Sequence, residues 1–191
     1  MAIVVHNGFT FLHMPKTGGI STYKMLFEEE STLYPYHVPY DEVVEKEDLP
    51  IVIGSRGVDS WHLSYYNYVF KQMRPNSYHI HELFKQTPTF EEFTEFSYNK
   101  TCDYGPGLNN PNNQYGGFKY VTTLMEDWWE YDGNLYDYIR DHLLCGNKPD
   151  YEIRQEFFMD DWLSAYSDMG LLTDKAERMI LGAGRYNRGA F

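Results

Sequence analysis

The chain has 191 residues, of which 42% are hydrophobic and 23% charged, and its formal net charge is −12. That length suits a single domain spanning 1–191 with its own core and is short for two ordinary ones. The acidic balance argues against a nucleic-acid partner, which needs a basic face, and against a strongly anionic polymer as substrate. No apolar run reaches the length of a membrane span. The opening "MAIVVHNGFTFLHM" lacks a basic n-region and a small-residue cleavage site, so no signal peptide is expected. Cys102 and Cys145 lack metal-ligand spacing and are expected as reduced thiols of a cytoplasmic protein. Asn99 in "NKT" matches the glycosylation pattern, a chance match where no secretory signal precedes it. No metal site is expected. Aromatic residues make up 18% of the chain. Core filling is the first reading of that excess, and an acceptor groove of stacked rings is the second.

In chain order, "GFTFLHM" (8–14) predicts a short buried strand. Residues 18–30 predict a helix ending in three glutamates. Residues 31–44 read as a proline-broken connection that re-enters a short helix near Asp41. "LPIVIGS" (49–55) predicts a second buried strand between Pro50 and Gly54. Residues 58–73 predict a long aromatic-rich helix. Residues 87–97 predict an amphipathic helix, with Thr89 as N-cap and Glu92 completing a capping box. Residues 102–117 read as a long turn-rich loop, and 118–125 as a third strand. Residues 134–144 predict a helix capped by Asn134, and two further helical stretches follow near 152–168 and 173–182. Strands alternating with helices imply an α/β domain with a central, mainly parallel sheet flanked by helices. Ligands of such sheets sit at the carboxyl ends of the strands.

The stretch "FLHMPKTGGISTYKML" (11–26) places a lysine, a hydroxyl and two glycines where a strand becomes a helix. First-turn N–H groups and the helix dipole favour an anion there. Gly18 and Gly19 allow a phosphate close to the backbone. Lys16 adds a full charge, and Thr17, Ser21 and Thr22 add hydroxyls. The nucleotide P-loop, G-x-x-x-x-G-K-[ST], fits poorly, because this lysine precedes the glycines.

The order Pro-Lys-Thr-Gly-Gly after "FLHM" resembles the 5′-phosphosulfate loop of sulfotransferases that use 3′-phosphoadenosine 5′-phosphosulfate (PAPS). The similarity is strongest to the carbohydrate branch, which includes the heparan sulfate types, with its H-x-P-K-T-G-G loop. Ile20 stands where that family has Thr or Ser, and Ser21 is kept. The family's 3′-phosphate motif is a strand, Arg-Asp-Pro, and a helix with Ser-x-Tyr. Here Arg56 and Ser64 are eight residues apart in "GSRGVDSWHLSYYNYVF" and Tyr66 follows. Gly57-Val58 replaces Asp-Pro, and Trp61 replaces a second arginine. An arginine at a strand end offers a fork of donors to a phosphate. "YPYHVPYDEV" resembles the family's His-x-Pro-Ala segment and makes His37 the candidate base, with His13 and then Glu126 behind it. Asn113 and Gln114 resemble an acceptor-side loop, and Arg185 or Arg188 could reach the donor phosphates. The resemblance runs from about residue 9 to about residue 127 and weakens beyond 100.

The resemblance implies a three-layer P-loop-like fold and transfer of a sulfuryl group from PAPS to a hydroxyl, or an amine, of a glycan or small-molecule acceptor. Adenosine 3′,5′-bisphosphate (PAP) is the other product. Lys16 and His37 would be catalytic. Lys16, Thr17, Gly18, Gly19, Ile20, Ser21, Arg56 and Ser64 would hold the donor. Two other classes stay open: a catalytically silent binding protein of the same fold, and a P-loop-like small-molecule kinase.

Overall fold

The computed structural model describes residues 2–6, 8–27, 29–34, 37–43, 48–72, 86–100, 128 and 130–187. In chain order the elements are β1 (Ala2–Val5), β2 (Phe9–Leu12), α1 (Gly19–Leu26), β3 (Ser31–Tyr34), β4 (Ile51–Ser55), α2 (Val58–Tyr66), α3 (Phe90–Asn99), α4 (Leu135–Leu144), β5 (Tyr151–Arg154), α5 (Phe158–Asp168) and α6 (Asp174–Asn187). Single 3-10 turns cover Tyr40–Glu42 and Gln155–Phe157, and α2 runs on into a π-helical stretch at Asn67–Gln72. The chain divides into two compact units, Met1–Gly57 with Leu143–Phe191, and Val58–His142.

The first unit is α/β, built on a five-stranded mixed sheet of order β3-β1-β2-β4-β5. β2 pairs parallel with β4, and β4 with β5, while β1 is antiparallel to both β2 and β3. Only β1 is therefore reversed, and the carboxyl ends of β2, β3, β4 and β5 lie along one edge. Side chains alternate across the strands, as a pleated sheet requires. Ile3, Val5, Phe9, Phe11, Val52 and Ile153 face one side, where Met25 and Leu26 of α1 and Phe158, Trp162 and Ile180 of α5 and α6 complete a core. Ala2, Val4, Leu12, Ile51 and Ile53 face the other side with Val38, Val43 and Leu144. Burying one such side chain contributes about 1.5–3 kcal/mol, so covering both faces anchors the loops that leave the strand ends.

The second unit is helical and aromatic. Trp61 is fully buried and stacks on Tyr65 with centroids 4.7 Å apart. Phe93 stacks on Tyr65, and Tyr66 and Phe70 pack on Phe93 with their own centroids 5.3 Å apart. Core filling thus accounts for these rings. Thr89 caps α3 in a full capping box: Glu92 N–H donates to Thr89 Oγ1, and Thr89 N–H donates to Glu92 Oε2. Asn134 Oδ1 accepts from the N–H groups of Tyr136 and Asp137 at the start of α4.

Several sequence expectations need revision. The helix expected over 18–30 stops at Leu26. Consecutive glutamates repel one another and are unfavourable at the negative end of a helix dipole. The connection over 31–44 contains β3, and the helix expected from 152 begins as β5. The loop at 102–117 and the strand at 118–125 lie outside the described residues. Among the described residues, no helix is long and apolar enough to cross a membrane.

Candidate functional site

β2 and β4 are parallel neighbours, with Leu12 opposite Ile53. The segments leaving them, His13 to Gly18 and Arg56 to Gly57, therefore emerge side by side. The first is a tight turn. Lys16 has φ 64° and Gly18 has φ 84°, so two of three consecutive residues are left-handed. Thr17 is buried, and its hydroxyl donates to the Met14 carbonyl at 2.7 Å. The hydroxyl thus braces the turn. Thr17 also sits over the backbone of β4: a Cβ at Gly54 would lie 2.7 Å from Thr17 Oγ1. The Gly18 carbonyl accepts from the N–H groups of Ser21 at 2.9 Å and Thr22 at 3.2 Å, which starts α1. Gly19 rests against the His13 ring, where a Cβ would come within 2.0 Å of Nε2. An imidazole packed that close leaves room for glycine alone.

Two cations meet at this edge. Arg56 Nη1 donates to the Lys16 carbonyl across a long 3.5 Å. Both side chains are partly buried. Burial, and then the Arg56 charge, lowers the Lys16 pKa. Burial lowers that of Arg56, with Glu156 opposing. Two partly desolvated like charges beside the N-terminus of α1 make a local positive site on an acidic protein. Such a site gains by holding an anion.

Two imidazoles complete the edge. Their centroids are 4.9 Å apart. His37 follows β3 and reaches across to the loop, its Nδ1–H donating to the His13 carbonyl at 2.7 Å. A carbonyl only accepts, so in the neutral ring the Nε2 atom carries the lone pair. Among the described residues, Nε2 meets no hydrogen-bond partner. Burial drives the His37 pKa down to about 4, against the raising effect of that hydrogen bond. Burial first, then the neighbouring His37, holds His13 well below the ordinary imidazole range. Both rings are neutral at pH 7, and His37 can take a proton.

The first unit thus brings together Lys16, Thr17, Gly18, Gly19, Ser21, His37 and Arg56. Ile20 is also on this edge, with its side chain 72% exposed on the first turn of α1. Ser64 lies on α2 in the second unit. Tyr66 is committed there, its buried hydroxyl donating to the Pro88 carbonyl at 2.8 Å. Asn113, Gln114, Glu126, Arg188 and the side chain of Arg185 lie outside the described residues. Two contributors escape the motif reading. Gly54 carried a signal, a glycine inside a strand that marks close backbone approach. Glu156 carried none, being remote in sequence from everything it touches. No family model, curated protein or solved structure matches the chain.

Proposed function

We propose that the chain is a PAPS-dependent sulfotransferase, working in the cytoplasm on a hydroxyl or amine of a glycan or small molecule. The observation that carries this reading is the joint presence, at the ends of β2 and β4, of the Lys16 turn and Arg56, with a neutral His37 tied to the same turn. The residues present fit a doubly phosphorylated nucleotide. A glycine cradle backed by the His13 ring lets a 5′-phosphate reach the N–H groups from Thr17 to Ile20. Arg56 would take the 3′-phosphate. The fold is then a three-layer P-loop-like variant with the lysine ahead of its glycines.

When bound, the donor supplies an activated sulfuryl group. Lys16 would neutralise negative charge that builds at the phosphate end as transfer proceeds. His37 would accept the acceptor's proton on Nε2, while the His13 carbonyl holds the opposite nitrogen and so fixes the ring. The rigid turn would hold donor and acceptor in line.

Ile20 favours a second reading, a silent binding protein, because an exposed alkyl group stands where the family has a hydroxyl. Two measurements separate the readings. A thermal shift with PAP and none with ATP is expected, and the reverse result would favour a kinase. Turnover of labelled PAPS against an acceptor panel is expected, and its absence despite PAP binding would favour the silent homologue.

A further inference from the structure

We infer that Glu156 is a positioning residue that holds Arg56 in register for the 3′-phosphate, an inference that rests on the donor-site reading above. Pairing of β4 with β5 ends at Ser55 opposite Arg154. Beyond the ladder the main chain of β4 takes its hydrogen bonds from outside the strand pairing. Gly57, directly after Arg56, donates its N–H to Glu156 Oε1 at 3.0 Å. Glu156 stands in the 3-10 turn that follows β5, and its carboxylate is the acidic charge acting on Arg56. One side chain therefore fixes the backbone directly after Arg56, and with it the point from which the Arg56 side chain leaves β4. Nearby Arg154 is engaged elsewhere: its Nε and Nη2 donate to Asp161 at 2.9 and 2.7 Å, and its guanidinium lies 4.4 Å over the Phe157 ring. The carboxylate at the end of β5 thus serves β4, across a sequence gap that no local motif would bridge.

Charge alone predicts the opposite of positioning, which makes the idea testable. Removing a carboxylate beside an anion site should tighten anion binding if only its charge matters. The full-length chain, Glu156→Ala and Glu156→Gln are titrated calorimetrically with PAP and with adenosine 5′-monophosphate, which lacks the 3′-phosphate. Glu156→Ala should weaken PAP about five-fold, the order of one hydrogen bond's net worth, and leave the monophosphate unchanged. Glu156→Gln keeps an acceptor for Gly57 and should bind PAP at least as tightly as the parent. Tighter PAP binding in both variants, or equal loss of both ligands in Glu156→Ala, overturns the proposal. Exchange of the Gly57 amide hydrogen, followed by NMR without ligand, gives an arm independent of the donor. It should speed up in Glu156→Ala and stay slow in Glu156→Gln. If the parent does not prefer PAP to the monophosphate, the donor-site reading fails, and this exchange decides the tether alone. Unchanged exchange in Glu156→Ala overturns the tether.

Discussion

His37 in the first unit and His62 in the second are held by the backbone in the same way. Each donates Nδ1–H to a main-chain carbonyl, His13 at 2.7 Å and Val58 at 2.8 Å. They differ at the other nitrogen. His62 Nε2 accepts from the Ser97 hydroxyl at 2.5 Å, and Ser97 Oγ in turn accepts the Leu135 N–H at 3.1 Å. That chain ties α2, α3 and α4 together around a ring only 1% exposed, with Tyr98 stacked on it. A Ser–His pair resembles a nucleophile and its base, yet this one is sealed and fully used. His37 leaves a lone pair unclaimed among the described residues. Occupancy of the second nitrogen separates a fully used structural strut from a ring with a lone pair to offer, and residue type says nothing about it.

The largest expected effect tests the His37 side. Lys16→Ala should abolish sulfuryl transfer while the melting temperature stays close to that of the parent, because a loop-tip lysine makes few core contacts. Normal turnover in the folded variant would remove its role. His37→Ala comes next. Loss of a general base lowers rates on the order of 10²–10⁴-fold, and PAP affinity should hardly change. The parent's rate should fall on the acid side around pH 4, where His37 takes up a proton, and that limb should vanish in the variant. A retained limb would place the base elsewhere, with His13 next in line.

His62→Ala should do the reverse and break the comparison if it does not. Turnover per folded molecule should persist while stability drops, since leaving a buried donor or acceptor unmatched costs about 1–3 kcal/mol. The pH dependence has a definite sign. Burial lowers the His62 pKa below its ordinary 6.5, against the Val58 hydrogen bond and the charges of Asp59 and Asp137. Stability from the neutral ring is complete above 6.5 and is lost as pH falls from there toward the lowered folded value. Urea titrations from pH 7.5 downward should show that loss shrinking in His62→Ala, and an unchanged slope would argue against it. Arg56→Ala gives the smallest effect. It should weaken PAP about ten-fold, as one charge-assisted hydrogen bond would, and spare adenosine 5′-monophosphate. Equal losses would mean Arg56 does not read the 3′-phosphate.

Parts of the fold were legible where their signals are local. The Lys16 turn, the capping box of Thr89 and Glu92 and the Asn134 cap each depend on residues within a few positions of one another. The missed strands are different. β1, β3 and β5 are four residues each, and Tyr151–Arg154 buries only Ile153, so pairing with neighbours rather than alternation defines them. The aromatic excess was legible as core, but not that Trp61 would stack on Tyr65 within a separate unit. His62 gave no usable signal, because its meaning depends on Ser97 and Leu135, each more than thirty residues away. Glu156 was silent for the same reason.

The left-handed turn at Lys16 has a consequence for engineering. A side chain at φ 64° is held against its preference, at a cost of about 1–2 kcal/mol. Glycine would relax there without that cost. Lys16→Gly should therefore melt higher than the parent while being inert, and a lower melting temperature would show that the lysine braces the turn. A directed-evolution campaign scored on heat resistance alone would discard this lysine early, and with it the activity proposed above. Any screen for a tougher variant has to count product at every round.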